Sequence, residues 1–163
     1  MRNTGPRSKL TESMEMYLKT ILQIQRHRQV ARVRDIAEAL DVSMSSVTAA
    51  LKGLAARSFI RHDRYEYVQL TDEGRRRAED LLYKCEVMGK FFSVCLGVEE
   101  GIAKSDACLM EHVVSGETID RMVSFMEFLE REKNKGQKMV DAFQSHFLRA
   151  KPSASPARRR QRS

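Results

Sequence analysis

The segment Asp106-Ala107-Cys108-Leu109-Met110-Glu111-His112 gathers a thiol, a carboxylate and an imidazole within five residues. In a helix, Cys108, Glu111 and His112 stand at i, i+3 and i+4 and share one face. Ala107, Leu109, Met110, Val113 and Val114 take the other arc. Three metal-ligand types on one helical turn suit a transition metal. The alternative is a polar helix face with a hydrogen-bonded histidine, and the stretch alone does not choose between them. A metal hydrolase would use Glu111 as base beside His112 as ligand. The chain lacks His-Glu-x-x-His or an equivalent ligand set, which favours sensing over catalysis.

The elements that must position these residues belong to a chain of 163 residues, enough for one domain or two small ones sharing a long helix. No apolar run approaches the length of a membrane span, and the N-terminus lacks the apolar core of a secretion signal. Three cysteines at irregular spacing make no disulfide framework. They suit a reducing cytoplasm, where thiols bind metal or do redox work. The net charge of +7 is unevenly placed: residues 149–163 carry +6 with no acid and residues 1–10 carry +3, leaving −2 between them. Residues 98–148 hold ten acids against six bases, so residues 11–97 are mildly basic. Charge placed in this way suits a polyanionic partner.

Thr11 reads as an N-cap, with Glu12 and Glu15 favouring the helix dipole. The helix it opens runs to about Arg28 and buries Met14, Tyr17, Leu18, Ile21 and Leu22. Met16 falls out of that register, beside Lys19 and Gln23 on the polar side, where a single exposed methionine is ordinary. From Val33 to Leu54 two helices follow. The first buries Val33, Ile36, Ala37 and Leu40. Asp41 and Val42 turn the chain, and Ser43 caps a second helix that buries Val47, Ala50, Leu51 and Leu54. This is the pattern of a helix-turn-helix, whose second helix enters a DNA major groove. That helix turns Ser45, Ser46, Thr48, Ala49 and Lys52 outward: small hydroxyls that approach base edges, methyl groups for thymine, and an ammonium for phosphate. Arg34 and Ser43 join them as candidate DNA contacts. The alternative is an ordinary solvated face, though such faces more often carry several Glu and Lys.

Residues 59–62 and 66–70 alternate like two short strands around Asp63-Arg64-Tyr65. A hairpin directly after a recognition helix is a wing, with Arg61 and Arg64 toward the phosphate backbone and His62 on its surface. Thr71-Asp72-Glu73-Gly74 then opens a long helix to about Leu96, apolar at Ala78, Leu81, Leu82, Cys85, Met88, Phe92, Cys95 and Leu96. Cys85 and Cys95 lie on that stripe, where core packing is the default. After the Cys108 helix, Ser115 caps another with Ile119, Met122, Val123, Met126 and Leu129 inward. Phe125 and Phe128 widen its apolar arc and suggest a dimer interface. Lys133-Asn134-Lys135-Gly136 breaks it, and Met139, Phe143 and Phe147 form a last short helix. From Lys151 onward the composition predicts a disordered basic tail. That tail either adds non-specific DNA affinity or simply solubilises the end.

This succession resembles the diphtheria-toxin-repressor and manganese-transport-regulator family of metal-dependent repressors. The resemblance is carried by Ser13-Met14-Glu15-Met16-Tyr17, by residues 31–40, by Ser45-Ser46-Val47-Thr48 and by Leu70-Thr71-Asp72-Glu73-Gly74. Glu111-His112 and Ile119-Asp120-Arg121 continue it. It implies a mainly α chain: a winged helix-turn-helix with a small two-stranded wing, joined by a long helix to an all-helical dimerisation domain. The corresponding boundaries are a basic arm at 1–10, the DNA-binding domain at 11–74, the metal-binding and dimerisation domain at 75–148, and the tail at 149–163. The family's third, SH3-like domain is not expected within these 163 residues. Iron-type members bind their activating metal with methionine on the first helix and Cys, Glu and His on the dimerisation helix; the matching residues are Met16, Cys108, Glu111 and His112. Manganese-type members place two acids where Met16 and Lys19 stand, and a glutamate where Cys108 stands. Lys19 opposes a second cation, so one metal per subunit is expected. Both branches have histidine where this chain has Cys85. The iron branch's ancillary site needs acid and imidazole groups where Gly89 and Lys104 lie, so that site is expected to be absent. Cys85 is either core or an extra thiolate ligand.

The resemblance therefore implies a cytoplasmic, homodimeric, metal-activated repressor of metal-uptake genes. Its partner is a double-stranded DNA operator, with no membrane, no small-molecule substrate and no enzymatic activity. Thiolate, thioether, imidazole and carboxylate together disfavour Mn(II) relative to Fe(II), Co(II), Ni(II) or Zn(II), and Fe(II) is the expected ion. One alternative is a manganese- or other metal-responsive regulator of the same family. Another is a thiol-redox regulator in which a Cys85–Cys108 disulfide excludes the metal.

Overall fold

The computed structural model of the protein describes residues 10–28, 30–62, 67–132 and 134–149. They form two compact units, one up to Lys84 and one from Cys85 onward. Among the described residues no helix is long and apolar enough to cross a membrane.

In the first unit, helix α1 (Glu12–His27) starts at Thr11, whose hydroxyl accepts a hydrogen bond from Met14 N at 3.2 Å. Its apolar spacing buries Tyr17, Leu18, Ile21 and Leu22. Helix α2 (Val33–Leu40) and helix α3 (Met44–Ala56) follow, joined by Asp41 in the left-handed region with φ 52°. Asp tolerates that conformation better than most residues because its short side chain can bond locally. Val42 N then donates to Ala37 O at 3.1 Å, and Val42 packs against the core at the corner. Ser43 caps α3 by accepting from Ser46 N. Ile36, Val47, Leu51 and Leu54 are fully buried with Leu18 and Ile21. The expected helix-turn-helix is present, held by one shared core.

The sheet has three strands, where the expectation was a two-stranded wing. Strands β1 (Ala31–Arg32), β2 (Ile60–His62) and β3 (Tyr67–Leu70) are antiparallel in the order β1-β3-β2. Two residues are too few to show alternation in a sequence. Tertiary contacts hold β1 instead: Ala31 is fully buried opposite Val68, and the Arg32 guanidinium lies 5.3 Å from the Tyr67 ring centroid. Arg64, residues 1–9 and residues 150–163 lie outside the described residues.

Helix α4 (Asp72–Lys90) begins where Thr71 Oγ1 accepts from Gly74 N at 3.1 Å and donates to Ser58 O at 2.8 Å. A Cβ at Gly74 would collide with the Phe59 carbonyl, so only glycine permits this close approach. Glu15 of α1 is buried and accepts from the Arg77 guanidinium of α4, whose Nε stands 3.0 Å from its Oε1.

In the second unit the α-helical path does not run to Leu96. It passes at Lys90 into a π-helical turn, Phe91–Cys95. Leu96 N reaches back to Phe91 O, and Ser93 Oγ donates to Gly89 O at 2.9 Å. Widening the turn in this way frees carbonyls for other partners, and Gln144 Nε2 bonds to Val94 O at 3.0 Å. Leu96, expected on the buried stripe, is exposed. Gly97 ends the segment at φ 70°. Helix α5 (Glu100–Met110), helix α6 (Gly116–Arg131) and helix α7 (Asn134–Arg149) complete the unit. Helix α7 has 16 residues and is as long as α1, not the short helix expected. Val87, Met88, Ala107 and Ile119 form one core; Cys95, Leu129 and Val140 form another. Phe125, Phe128, Met139, Phe143 and Phe147 remain exposed on α6 and α7.

Candidate functional site

Cys85 lies on α4, one turn before fully buried Met88, and Cys108 lies on α5 beside fully buried Ala107. A Cβ on Gly89 would stand 4.0 Å from that of Ala107, so small residues on both helices let the two approach closely. The two sulfurs are 2.9 Å apart. With a carboxylate oxygen of Glu111 they form a cluster in which every ligand atom lies within 4.8 Å of the others.

The helix carrying Cys108 does not extend through His112, as the i, i+3, i+4 reading supposed. Helix α5 ends at Met110, and residues 111–113 form a turn. Glu111 keeps helical angles (φ −55°, ψ −28°), with its N–H on Ala107 O at 3.0 Å. The Cys108–Glu111 relation therefore survives. His112 falls just beyond it, its Nε2 3.7 Å from Glu111 Oε1 and outside the 4.8 Å cluster. Two β-branched residues, Val113 and Val114, and the Ser115 cap of α6 draw the chain out of the helix here.

Glu111 is fully buried, a costly place for a carboxylate without compensation. Burial pushes the Cys85 thiol well above its ordinary value. A hydrogen bond and charge from Cys108 add to that, and the charge and hydrogen bond of Glu111 add further. Three groups that each bear negative charge as ligands converge, and two of them, Cys108 and Glu111, hold the proton of the third, Cys85, in place. A divalent cation at this point would reverse the electrostatic part of that effect and draw the proton off. The donor set, two sulfurs and a carboxylate with an adjacent imidazole, fits a borderline transition metal. Cys95, by contrast, is a buried thiol of another core, its ionisation disfavoured by burial.

Met16 lies on α1 in the first unit, 38% exposed between buried Glu15 and Tyr17, so its departure from the apolar register is real. Lys104, where the ancillary site would need a ligand, is an exposed residue of α5.

The outward face of α3 is as the spacing predicted for Ser45, Ser46, Ala49 and Lys52, all exposed, while Thr48 is half-buried. Ser43 Oγ is shared among Ser46 N and the Ser45 and Ser46 hydroxyls, and Thr48 Oγ1 donates to Met44 O at 2.8 Å. Arg34 and Arg61 are exposed. Met44, 50% exposed as the first residue of α3, is a candidate that spacing does not mark. Its signal was an apolar residue directly after an N-cap with no core to enter. Spacing likewise does not mark Glu99, whose carboxylate caps α5 on the amides of Gly101 and Ile102 and is thereby held below its usual range.

Comparison with known proteins matches residues 9–68 to the iron dependent repressor N-terminal DNA binding domain, and residues 71–140 to the iron dependent repressor metal binding and dimerisation domain. The chain belongs to the iron-dependent repressor family. Solved structures agree. IdeR of T. acidophilum shares 27% identity over 74% of this chain and 55% of its own, with a TM-score of 0.63. A manganese-dependent transcriptional repressor in complex with manganese shares 27% over 71% and 53%, with a TM-score of 0.64. The metal-dependent transcriptional regulator MtsR shares 27% over 73% and 55%, with a TM-score of 0.65. The chain thus spans little more than half the length of these relatives. Its helix-turn-helix and the sheet as far as Val68 fall in the region matched as DNA binding, and the Cys85, Cys108 and Glu111 cluster falls in the region matched as metal binding.

Proposed function

We propose that the chain is a homodimeric transcriptional repressor activated by a divalent transition metal, one ion per subunit, binding a double-stranded DNA operator of metal-uptake genes in the cytoplasm. The observation that carries this reading is the convergence of two thiols on a fully buried carboxylate. Cys108, Glu111 and His112 are the proposed ligands from the second unit, Cys85 the additional sulfur, and Met16 the thioether contributed by α1. When bound, the cation would offset two of the three negative charges of the thiolates and the carboxylate. Fe(II) is the proposed ion, ahead of Co(II), Ni(II) and Zn(II), because sulfur ligands disfavour Mn(II). A manganese-responsive regulator is the second reading, favoured by the manganese-dependent relative of like fold.

Residues 11–74 are proposed as the DNA-reading domain and 75–148 as the metal-binding and dimerisation domain, with basic arms at 1–10 and 149–163. Ser45, Ser46, Thr48 and Ala49 approach base edges, joined by Met44. Arg34, Ser43, Lys52, Arg61 and Arg64 contact phosphates. The exposed phenylalanines Phe125 and Phe128 supply apolar surface for the second copy. A metal that binds more tightly to the arrangement matching two half-sites shifts the population toward it. The test is an anaerobic Fe(II) titration on a duplex selected from a random pool, with and without Cys108→Ala. Roughly tenfold tighter DNA binding on metal addition, about 1.4 kcal/mol, is expected for the parent and not for the variant. Equal affinity with and without Fe(II) in both proteins would overturn the reading.

A further inference from the structure

The two sulfurs of the cluster belong to different helices, 23 residues apart in sequence, yet stand 2.9 Å from each other. A disulfide bond of about 2.05 Å requires them to close by roughly 0.9 Å, a movement within the reach of side-chain rotation. Both are half-buried, so a small oxidant can reach them, whereas Cys95 is only 5% exposed in a separate core. We propose that Cys85 and Cys108 form a hydroperoxide-reactive dithiol whose oxidation closes the metal site. The closing of the site rests on the metal reading above; the reactivity of the pair does not.

The chemistry balances without another reactant. One sulfur, giving up its proton, attacks the terminal oxygen of the peroxide, the O–O bond breaks, and an alcohol, or water from hydrogen peroxide, departs with that proton, leaving a sulfenic acid. The second sulfur attacks that sulfur, the S–O bond breaks, and the hydroxide leaves as water with the second thiol proton. Two electrons pass from the dithiol to the peroxide, and each thiol loses one proton to the products. The disulfide sulfurs no longer carry thiolate charge, and the thiolate is the form that ligates metal. Glu111 and His112 are then the only donors left in this unit's cluster and its adjoining turn. The site therefore admits metal only when its sulfurs are reduced, which couples metal occupancy to oxidant level.

The test uses the full-length, metal-free protein treated with one equivalent of hydrogen peroxide, then alkylated and digested. The expected product links the Cys85 and Cys108 peptides with the loss of two hydrogens, while Cys95 becomes alkylated once the protein is unfolded. Co(II) then serves as the probe. Reduced protein is expected to show sulfur-to-cobalt charge-transfer bands. The oxidised protein is expected to lose them and bind Co(II) roughly tenfold or more weakly, with both restored by dithiothreitol. Recovery of both cysteines as free thiols after peroxide would overturn the dithiol. A crosslinked protein that binds Co(II) like the reduced one would overturn the gating. Reduced protein without charge-transfer bands would instead overturn the metal reading, and the gating with it, while the crosslink still decides the dithiol. Cys85→Ser should abolish the crosslink yet keep weaker charge-transfer bands from Cys108; a crosslink to Cys95 in that variant would show that proximity does not select the pair.

Discussion

Replacing Arg77 with methionine should destabilise the first unit more than replacing its partner, Glu15, with glutamine. The Glu15 side chain is 5% exposed and the Arg77 side chain 36%. Both Nε and Nη2 of Arg77 donate to Glu15 Oε1, the former at 3.0 Å. Removing one member of a fully buried pair costs about 3–5 kcal/mol, because the other charge is left in low dielectric. Solvent at Arg77 screens part of that interaction, which lowers the expected cost of Arg77→Met to about 2 kcal/mol. Glu15→Gln keeps an acceptor oxygen for the guanidinium, which also has Asp80 3.4 Å away and open solvent. Its cost should be about 1 kcal/mol, the value of a hydrogen bond weakened and not abandoned. The asymmetry follows from which member is buried. Unfolding in urea can be followed by tyrosine fluorescence, because all four tyrosines precede Lys84 and the chain has no tryptophan. The signal therefore reports this unit alone. A loss of about 2 kcal/mol corresponds to roughly 8–16 °C in Tm for a unit of this size. Equal costs, a reversed order, or losses below about 0.5 kcal/mol for both would refute the argument that a buried carboxylate clamps α1 to α4.

Other consequences can be checked with the same protein. Gly74→Ala forces a Cβ against the Phe59 carbonyl, and since backbone must shift, a loss of about 3 kcal/mol or more in the same fluorescence assay is expected. Ser43→Ala removes the α3 cap and should cost about 1 kcal/mol of stability; a neutral result by urea titration would show that Ser46 N finds another acceptor. Because the raised pKa of Cys85 means that it holds its proton near neutrality, metal must displace that proton. Co(II) affinity should climb about tenfold per pH unit for each thiol proton released between about pH 6 and 8, and a flat profile would exclude thiolate ligation. In metal-free protein the sign differs. The folded state retains a proton that the unfolded chain releases near pH 9.0, so stability is full below that pH and declines above it; chemical denaturation in the presence of a chelator at rising pH measures this.

Much of the architecture was legible in the order of residues because it rests on local periodicity. The caps at Thr11, Ser43 and Ser115 and the apolar registers of α1, α2 and α3 follow from hydrogen-bonding capacity and a repeat of 3.6 residues, both read within a window of a few turns. The same register exposed Met16 as misplaced and put Cys108 and Glu111 on one side of a turn. What escaped was set by contacts distant in sequence. Strand β1 exists because Ala31 and Arg32 meet Val68 and Tyr67. The π-helical turn is held by side chains and by Gln144, 50 residues from its partner. Glu15 reads as a dipole-favouring acid until Arg77, 62 residues on, turns it into a buried clamp.

The candidate site divides in the same way. Residue types and spacing alone marked Cys108, Glu111 and His112 as donors and set Cys85 on a core stripe, and only the family resemblance raised it as a ligand. Only the tertiary structure brings the Cys85 sulfur to 2.9 Å from that of Cys108 and seals Glu111 from solvent, because helix packing, and not periodicity, sets the distance between residues on different helices.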